Sequence, residues 1–137
     1  MLALLSPAVR HGTGPLARLM REGGLHCVFQ PLADLREGSI YAHEALIRGP
    51  QGSPYHTPDV LLDLARRERL LLDFELLCVF TALEQWGRSD APGRLFVNIS
   101  ADALVRGVAL LGTQALGHTV RSLGLSARML VLEITEH

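Results

Sequence analysis

Three short apolar segments of the chain each carry one oxygen-bearing side chain of the kind that holds a hard cation: Glu44 in residues 41–48, Asn98 in 95–100 and Glu133 in 130–136. In a strand, successive side chains alternate between faces. Ala42, Glu44, Leu46 and Arg48 then share one face, as do Phe96, Asn98 and Ser100, and as do Val131, Glu133 and Thr135. Laid side by side, such strands bring two carboxylates and a carboxamide to comparable depth near one end of a sheet, where α/β folds hold their ligands. That donor set suits Mg²⁺ or Mn²⁺ beside a phosphate. A charged glutamate in an apolar strand is costly unless it is paired or metal-bound.

Taken singly, these residues have plainer readings. Glu44 alone is a solvated strand residue and Arg48 a strand-end charge. Asn98 could serve the following turn, and Ser100 fits a helix N-cap as well as a site role. His43 alternates away from Glu44 and reads as structural. Arg66, Arg67 and Arg69 read as a solvated helix face or as partners of a helix C-terminus. Asp73 either starts a helix or touches a ligand. The coincidence of Glu44, Asn98 and Glu133 favours the cation site.

The elements that must position them can be read from spacing. An apolar run from Cys27 to Leu35 is followed by Gly38 and Ser39 and by a second strand pattern from Ile40, which predicts an antiparallel hairpin turning at Gly38 and Ser39. Thr57 and Pro58 start a helix with Thr57 as N-cap, and a second helix is expected from Asp73 to Trp86, stopping at Gly87. A loop over 89–93, a strand over 95–99, a helix start at Ser100 and a longer helix over about 111–123 lead to the last strand, 129–135. Past the hairpin the order strand, helices, strand, helix, strand predicts parallel neighbours joined by right-handed crossovers. Residues 1–24, with Gly12, Gly14, Pro15, Gly23 and Gly24, form a lead-in with one helical pattern through Leu16, Leu19 and Met20.

Composition narrows the class. The 137 residues are 48% apolar, enough for one core, and 13 basic against 14 acidic residues leave a net charge of -1. Nothing in that balance calls for a nucleic acid polymer. Cys27 and Cys78 sit in apolar runs and read as buried free thiols, which favours a reducing, cytoplasmic setting. The apolar opening at Met1 has no basic residue ahead of it and is interrupted by Pro7, a poor signal peptide, and no run approaches a membrane span.

The same residues resemble the EAL domains, bacterial phosphodiesterases of the second messenger cyclic di-GMP (c-di-GMP). Gln30-Pro31-Leu32 is similar to the family's opening "QPI", Glu44-Ala45-Leu46 with Arg48 to its "EALxR", Asn98-Ile99-Ser100 to its "NxS", and Leu132-Glu133-Ile134-Thr135-Glu136 to its "ELTE". Leu72-Asp73 sits where the family has "LD" before a long helix. The resemblance implies an α/β fold: a partial TIM-barrel-like EAL fold with an antiparallel first strand and βα units after it, the lead-in preceding a half domain over 25–137. It implies Glu44, Asn98 and Glu133 as ligands of Mg²⁺ or Mn²⁺, Gln30, Leu46 and Arg48 as the c-di-GMP contacts, and Glu136 as support for a neighbouring loop. An Arg48 guanidinium suits a phosphate. The family's reaction, hydrolysis to pGpG with two metals, uses later motifs that this sequence does not contain. The chain is therefore expected to lack turnover, to bind metal weakly, and to expose residues 130–135 as an edge open to self-association or a partner. The alternative is a non-catalytic binding or interaction module.

Overall fold

A computed structural model describes residues 5–90 and 93–136. The opening residues 1–4, loop positions Ala91 and Pro92, and His137 lie outside the described residues.

The hairpin forms as its turn chemistry predicts, shifted by one residue. Strands β1 (His26–Asp34) and β2 (Ser39–Arg48) pair antiparallel from His26 opposite Arg48 to Asp34 opposite Ser39. The turn occupies residues 35–38, so Ser39 belongs to the strand and not to the turn. Gly38 takes φ +65°, a left-handed conformation that costs a residue without Cβ little. The Asp34 carboxylate accepts the Arg36 N–H at 2.8 Å and closes the bend locally.

Strands β3 (Arg94–Ser100) and β4 (Leu130–Thr135) follow in parallel, giving one sheet in the order β1-β2-β3-β4. The sheet is open, with β1 and β4 at its edges. Consecutive strands of a parallel sheet need helical crossovers, and the chain supplies them. Helices α1 (Pro7–His11) and α2 (Pro15–Glu22) precede the sheet, so the lead-in carries two short helices where spacing had indicated one. Helices α3 (Pro58–Arg67) and α4 (Leu71–Arg88) join β2 to β3. Helices α5 (Ala101–Leu111) and α6 (Ala115–Ser122), then a 3₁₀ turn over Ala127–Met129, join β3 to β4.

Two helices depart from spacing. Helix α4 begins two residues before Asp73 and runs through Gly87, because its buried stripe continues to Trp86 and outweighs one glycine. The expected helix over 111–123 is instead split from its neighbour at Gly112, whose φ of +91° ends α5, and only eight residues of it form α6. Thr57 stands at the N-cap of α3, but its side chain makes no capping bond.

The two faces of the sheet differ. Cys27, Ala45, Leu95, Val97 and Ile99 bury themselves against Val79, Ala82, Leu83 and Trp86, a stripe of α4 at helical spacing. His43 also lies on this side, its ring packed 5.2 Å from that of Trp86, and its buried Nδ1 meets no hydrogen-bond partner among the described residues. A second cluster joins Val9, Leu16 and Ala17 to Leu61, Ala65, Phe74 and Leu77, packing the first three helices on the other side of α4. The start of α2 is held by Glu68, whose carboxylate accepts the N–H groups of Leu16 and Ala17 at 2.9 and 3.1 Å. The opposite face of the sheet, over which no helix packs among the described residues, carries Gln30, Glu44, Asn98 and Glu133.

Candidate functional site

Register places the sequence-derived residues on that uncovered face. Gln30 lies opposite Glu44, Val28 opposite Leu46 and His26 opposite Arg48 across the hairpin. Glu44 is paired in register with Phe96, and Asn98 with Glu133. Residues opposite each other in register stand side by side on one face, so Gln30 and Glu44 form one neighbouring pair and Asn98 and Glu133 another, two residues further along on the same face.

Asn98 and Glu44 touch. The Asn98 amide, through Nδ2, donates to Glu44 Oε2 at 2.8 Å across the β2–β3 junction. This bond fixes the asparagine: with its nitrogen turned to the carboxylate, Oδ1 is the atom left to accept or ligate. The pair is half-buried, as is Glu133. Among the described residues no group of three His, Cys, Asp or Glu comes close enough together to hold a metal ion. The oxygen donors available are two carboxylates and one carboxamide, a set whose chemistry fits a hard divalent cation and not a soft one.

The remaining residues are more dispersed. Arg48 is half-buried and donates from Nη1 to the carbonyl of its neighbour Ile47 at 2.8 Å. Leu46 is half-buried, while Gln30 is exposed on the edge strand. Glu136 lies beyond the last strand and is exposed, away from any described hydrogen bond. Asp73 belongs to the first turn of α4 and Ser100 caps α5, accepting the Ala103 N–H at 3.1 Å. Arg67 pairs with Asp63 at 3.0 Å on the exposed side of α3, in keeping with a solvated helix face.

At the C-terminal ends of the strands a cavity of about 260 Å³ opens, lined by Leu46, Asn98 and Thr135 from the polar face and by Cys27, Ile47, Glu75 and Cys78 behind them. Burial pushes the Cys27 thiol up to about 12 even though the Arg48 guanidinium draws it down. Burial, reinforced by Cys27 and Glu75, raises Cys78 well above the ordinary thiol range. Both sulfurs are free and protonated at neutral pH, poor nucleophiles and poor ligands.

Glu75 is the residue that spacing missed. Among the described residues it is the one buried charged side chain, 6% exposed, and both of its oxygens accept from Ser100: Oε1 from the backbone N–H and Oε2 from the hydroxyl, each at 2.7 Å. A signal was there to read. Glu75 occupies the apolar stripe that continues through Val79, Ala82, Leu83 and Trp86, and a carboxylate on a core stripe requires a partner.

An open, mostly parallel sheet with crossover helices behind it, an antiparallel first strand and oxygen donors near the strand ends defines a mixed α/β fold that corresponds to about half of a TIM-type barrel. The sequence profile of the EAL domain matches residues 15–137, and the chain belongs to the EAL domain family. Among solved structures, the EAL domain of Xanthomonas citri FimX in complex with c-di-GMP superposes with a TM-score of 0.71 at 18% identity, covering 88% of this chain and 47% of that one. The c-di-GMP complex of the PaMucR phosphodiesterase gives 0.65 at 24% identity, covering 82% and 47%. Klebsiella pneumoniae BlrP1, in its manganese and c-di-GMP complex, gives 0.65 at 20%, covering 82% and 28%. The chain thus spans about half the length of the first two structures, and at these identities the likeness is one of fold. No curated protein matches the sequence. No helix among the described residues is long and apolar enough to cross a membrane.

Proposed function

We propose that this chain carries the N-terminal half of a c-di-GMP site of the phosphodiesterase type, and that by itself it does not turn the ligand over. The observation behind this reading is the Asn98–Glu44 hydrogen bond on a face that also bears Glu133 and Gln30 in register. Residues placed for solubility alone have no reason to collect on one face near the strand ends.

In this reading Glu44, Asn98 Oδ1 and Glu133 hold a divalent cation, Mg²⁺ or Mn²⁺. When bound, such a cation supplies positive charge to a phosphodiester oxygen and acidifies a water molecule. The chain's own residues do the rest. Arg48 releases its contact with the Ile47 carbonyl and offers a planar guanidinium to the ligand phosphate. Leu46 gives an apolar contact at the mouth of the cavity, and Gln30 donates or accepts at the edge strand. Glu136 braces the adjoining loop. Three donors satisfy half or fewer of the positions in the shell of one hard cation and leave little for a second, which supports weak metal binding and no hydrolysis.

The test is to supply Mn²⁺ and c-di-GMP to the purified chain, following pGpG by chromatography and binding by calorimetry. Mn²⁺-dependent binding without pGpG is expected. Formation of pGpG would overturn the claim of no turnover, and absence of any Mn²⁺ effect would overturn the site itself.

A second reading is favoured by the β4 edge. Ile134 is 54% exposed on a strand whose outer side has no neighbour in the sheet among the described residues, whereas β1's outer side is guarded: Gln85 accepts the Cys27 N–H at 2.6 Å and donates to its carbonyl at 3.3 Å, and Pro31 has no N–H to offer. In this reading the chain is an interaction module that adds a strand at β4, from a second copy or a partner.

A further inference from the structure

Glu75 stands near the buried start of α4 and grips Ser100 at the end of β3. We propose that it is the positioning residue for Asn98, the group that sets the angle at which the carboxamide meets Glu44; this rests on the reading of Asn98 as a cation ligand.

The geometry runs through Ser100. Asn98 and Ser100 are two residues apart on β3 and share a face, about 6–7 Å from one Cα to the next. In register they stand beside Glu133 and Thr135. The carboxylate of Glu75 grips Ser100 twice, at the backbone N–H and at the hydroxyl, both at 2.7 Å. Two bonds to one residue fix rotation of the strand end about its axis, where a single bond would leave it free to pivot. The Ser100 hydroxyl is used a third time, accepting the Ala103 N–H at 3.1 Å, so the strand end, the first turn of α5 and the buried start of α4 are tied at one point.

That tie matters because the site wall is thin there. Glu75, Asn98, Leu46 and Thr135 line the same cavity, so Asn98 borders open volume on that side. A freed β3 end can let the Asn98 amide swing from Glu44 into the cavity. Residues that orient a metal ligand without touching the metal change affinity by about 10–100-fold when removed.

The chemistry distinguishes positioning from mere packing. In Glu75→Gln the amide oxygen still accepts the Ser100 N–H and the amide nitrogen donates to the Ser100 oxygen, which keeps a lone pair for Ala103. Both ties survive without the charge. Glu75→Ala removes both, and Ser100→Ala removes the hydroxyl arm while leaving the backbone N–H arm.

The experiment uses the full 137-residue chain. The side-chain amide signals of Asn98 are read by ¹⁵N nuclear magnetic resonance, assigned by their loss in Asn98→Ser, and Mn²⁺ affinity is read from the free ion by electron paramagnetic resonance. Glu75→Ala and Ser100→Ala should move the Asn98 signals and weaken Mn²⁺ by about tenfold or more, and Glu75→Gln should remain near wild type in both. Val9→Ala, in the remote helical cluster, serves as a control of lowered stability and should leave the Asn98 signals unmoved. Unmoved Asn98 signals in folded Glu75→Ala overturn the proposal, as does a Glu75→Gln protein as impaired as Glu75→Ala. Should Glu75→Ala fail to fold, the Ser100→Ala signals decide by the same criterion. A wild-type chain indifferent to Mn²⁺ would refute the cation reading alone, since the Asn98 signals still judge the tie.

Discussion

Asn98 donates to Glu44 across 2.8 Å, joining two residues that lie 54 positions apart in sequence and on neighbouring parallel strands. The bond offsets part of the cost of a carboxylate half-buried in a sheet and leaves the carboxamide oxygen as the asparagine's acceptor.

Replacing the donor by an acceptor reverses the sign of that contact. Asn98→Asp sets a second carboxylate beside Glu44, and like charge raises the pKa of one of the two above its unfolded value. Stability is then fully present below the unfolded carboxylate range and falls as pH rises through the raised value. The variant should lose about 1–3 kcal/mol relative to wild type at pH 7 and much less at pH 4. Thermal unfolding of both proteins at the two pH values measures it; a loss that does not depend on pH would contradict the contact.

The cysteines give a second pH dependence. Cys27 titrates near 12 in the fold, against 9.0 for an ordinary thiol, and Cys78 is shifted in the same direction. A raised folded pKa means that the native state prefers the neutral thiol, so the contribution is complete below about 9 and is lost as pH climbs from there toward 12. Native chain should resist iodoacetamide at pH 8 and react at both cysteines in urea. Labelling counted by mass spectrometry in the two conditions checks this.

The apolar face carries the stability. Leu83, fully buried between α4 and the sheet, should cost about 2–5 kcal/mol when cut to alanine, because the cavity collapses incompletely. Urea denaturation reads the change, and a cost under 1 kcal/mol would place the core elsewhere.

Edge pairing through β4 calls for a charge test. Ile134→Lys puts a solvated ammonium on the edge strand at a position 54% exposed, and lysine on an edge opposes strand addition. If the chain self-associates, sedimentation should show the variant shifted to monomer. An unshifted distribution would remove β4 from the interface.

Local sequence determined much of this. The hairpin follows from apolar runs flanking Gly38, α3 from Pro58, and the order of strands and helices from the alternation of periods 2 and 3.6. Glu44, Asn98 and Glu133 could be singled out because a strand's alternation depends only on spacing, and spacing survives into the fold. Boundaries failed where packing outweighed propensity. Helix α4 runs through Gly87 because Trp86 is buried behind the sheet, and Gly112 breaks a stretch that looked continuous.

Tertiary structure alone decided which donors touch. Asn98 meets Glu44 because the parallel register of β2 and β3 pairs Glu44 with Phe96, two residues before Asn98, and no local rule sets a parallel register. It also decided that Glu75, a charge on an apolar stripe, accepts two hydrogen bonds from one serine 25 positions away. A side chain's face is fixed by its own strand or helix, whereas its neighbour is fixed by how far one element slides along another. That slide is set by the packing of α4 against the sheet.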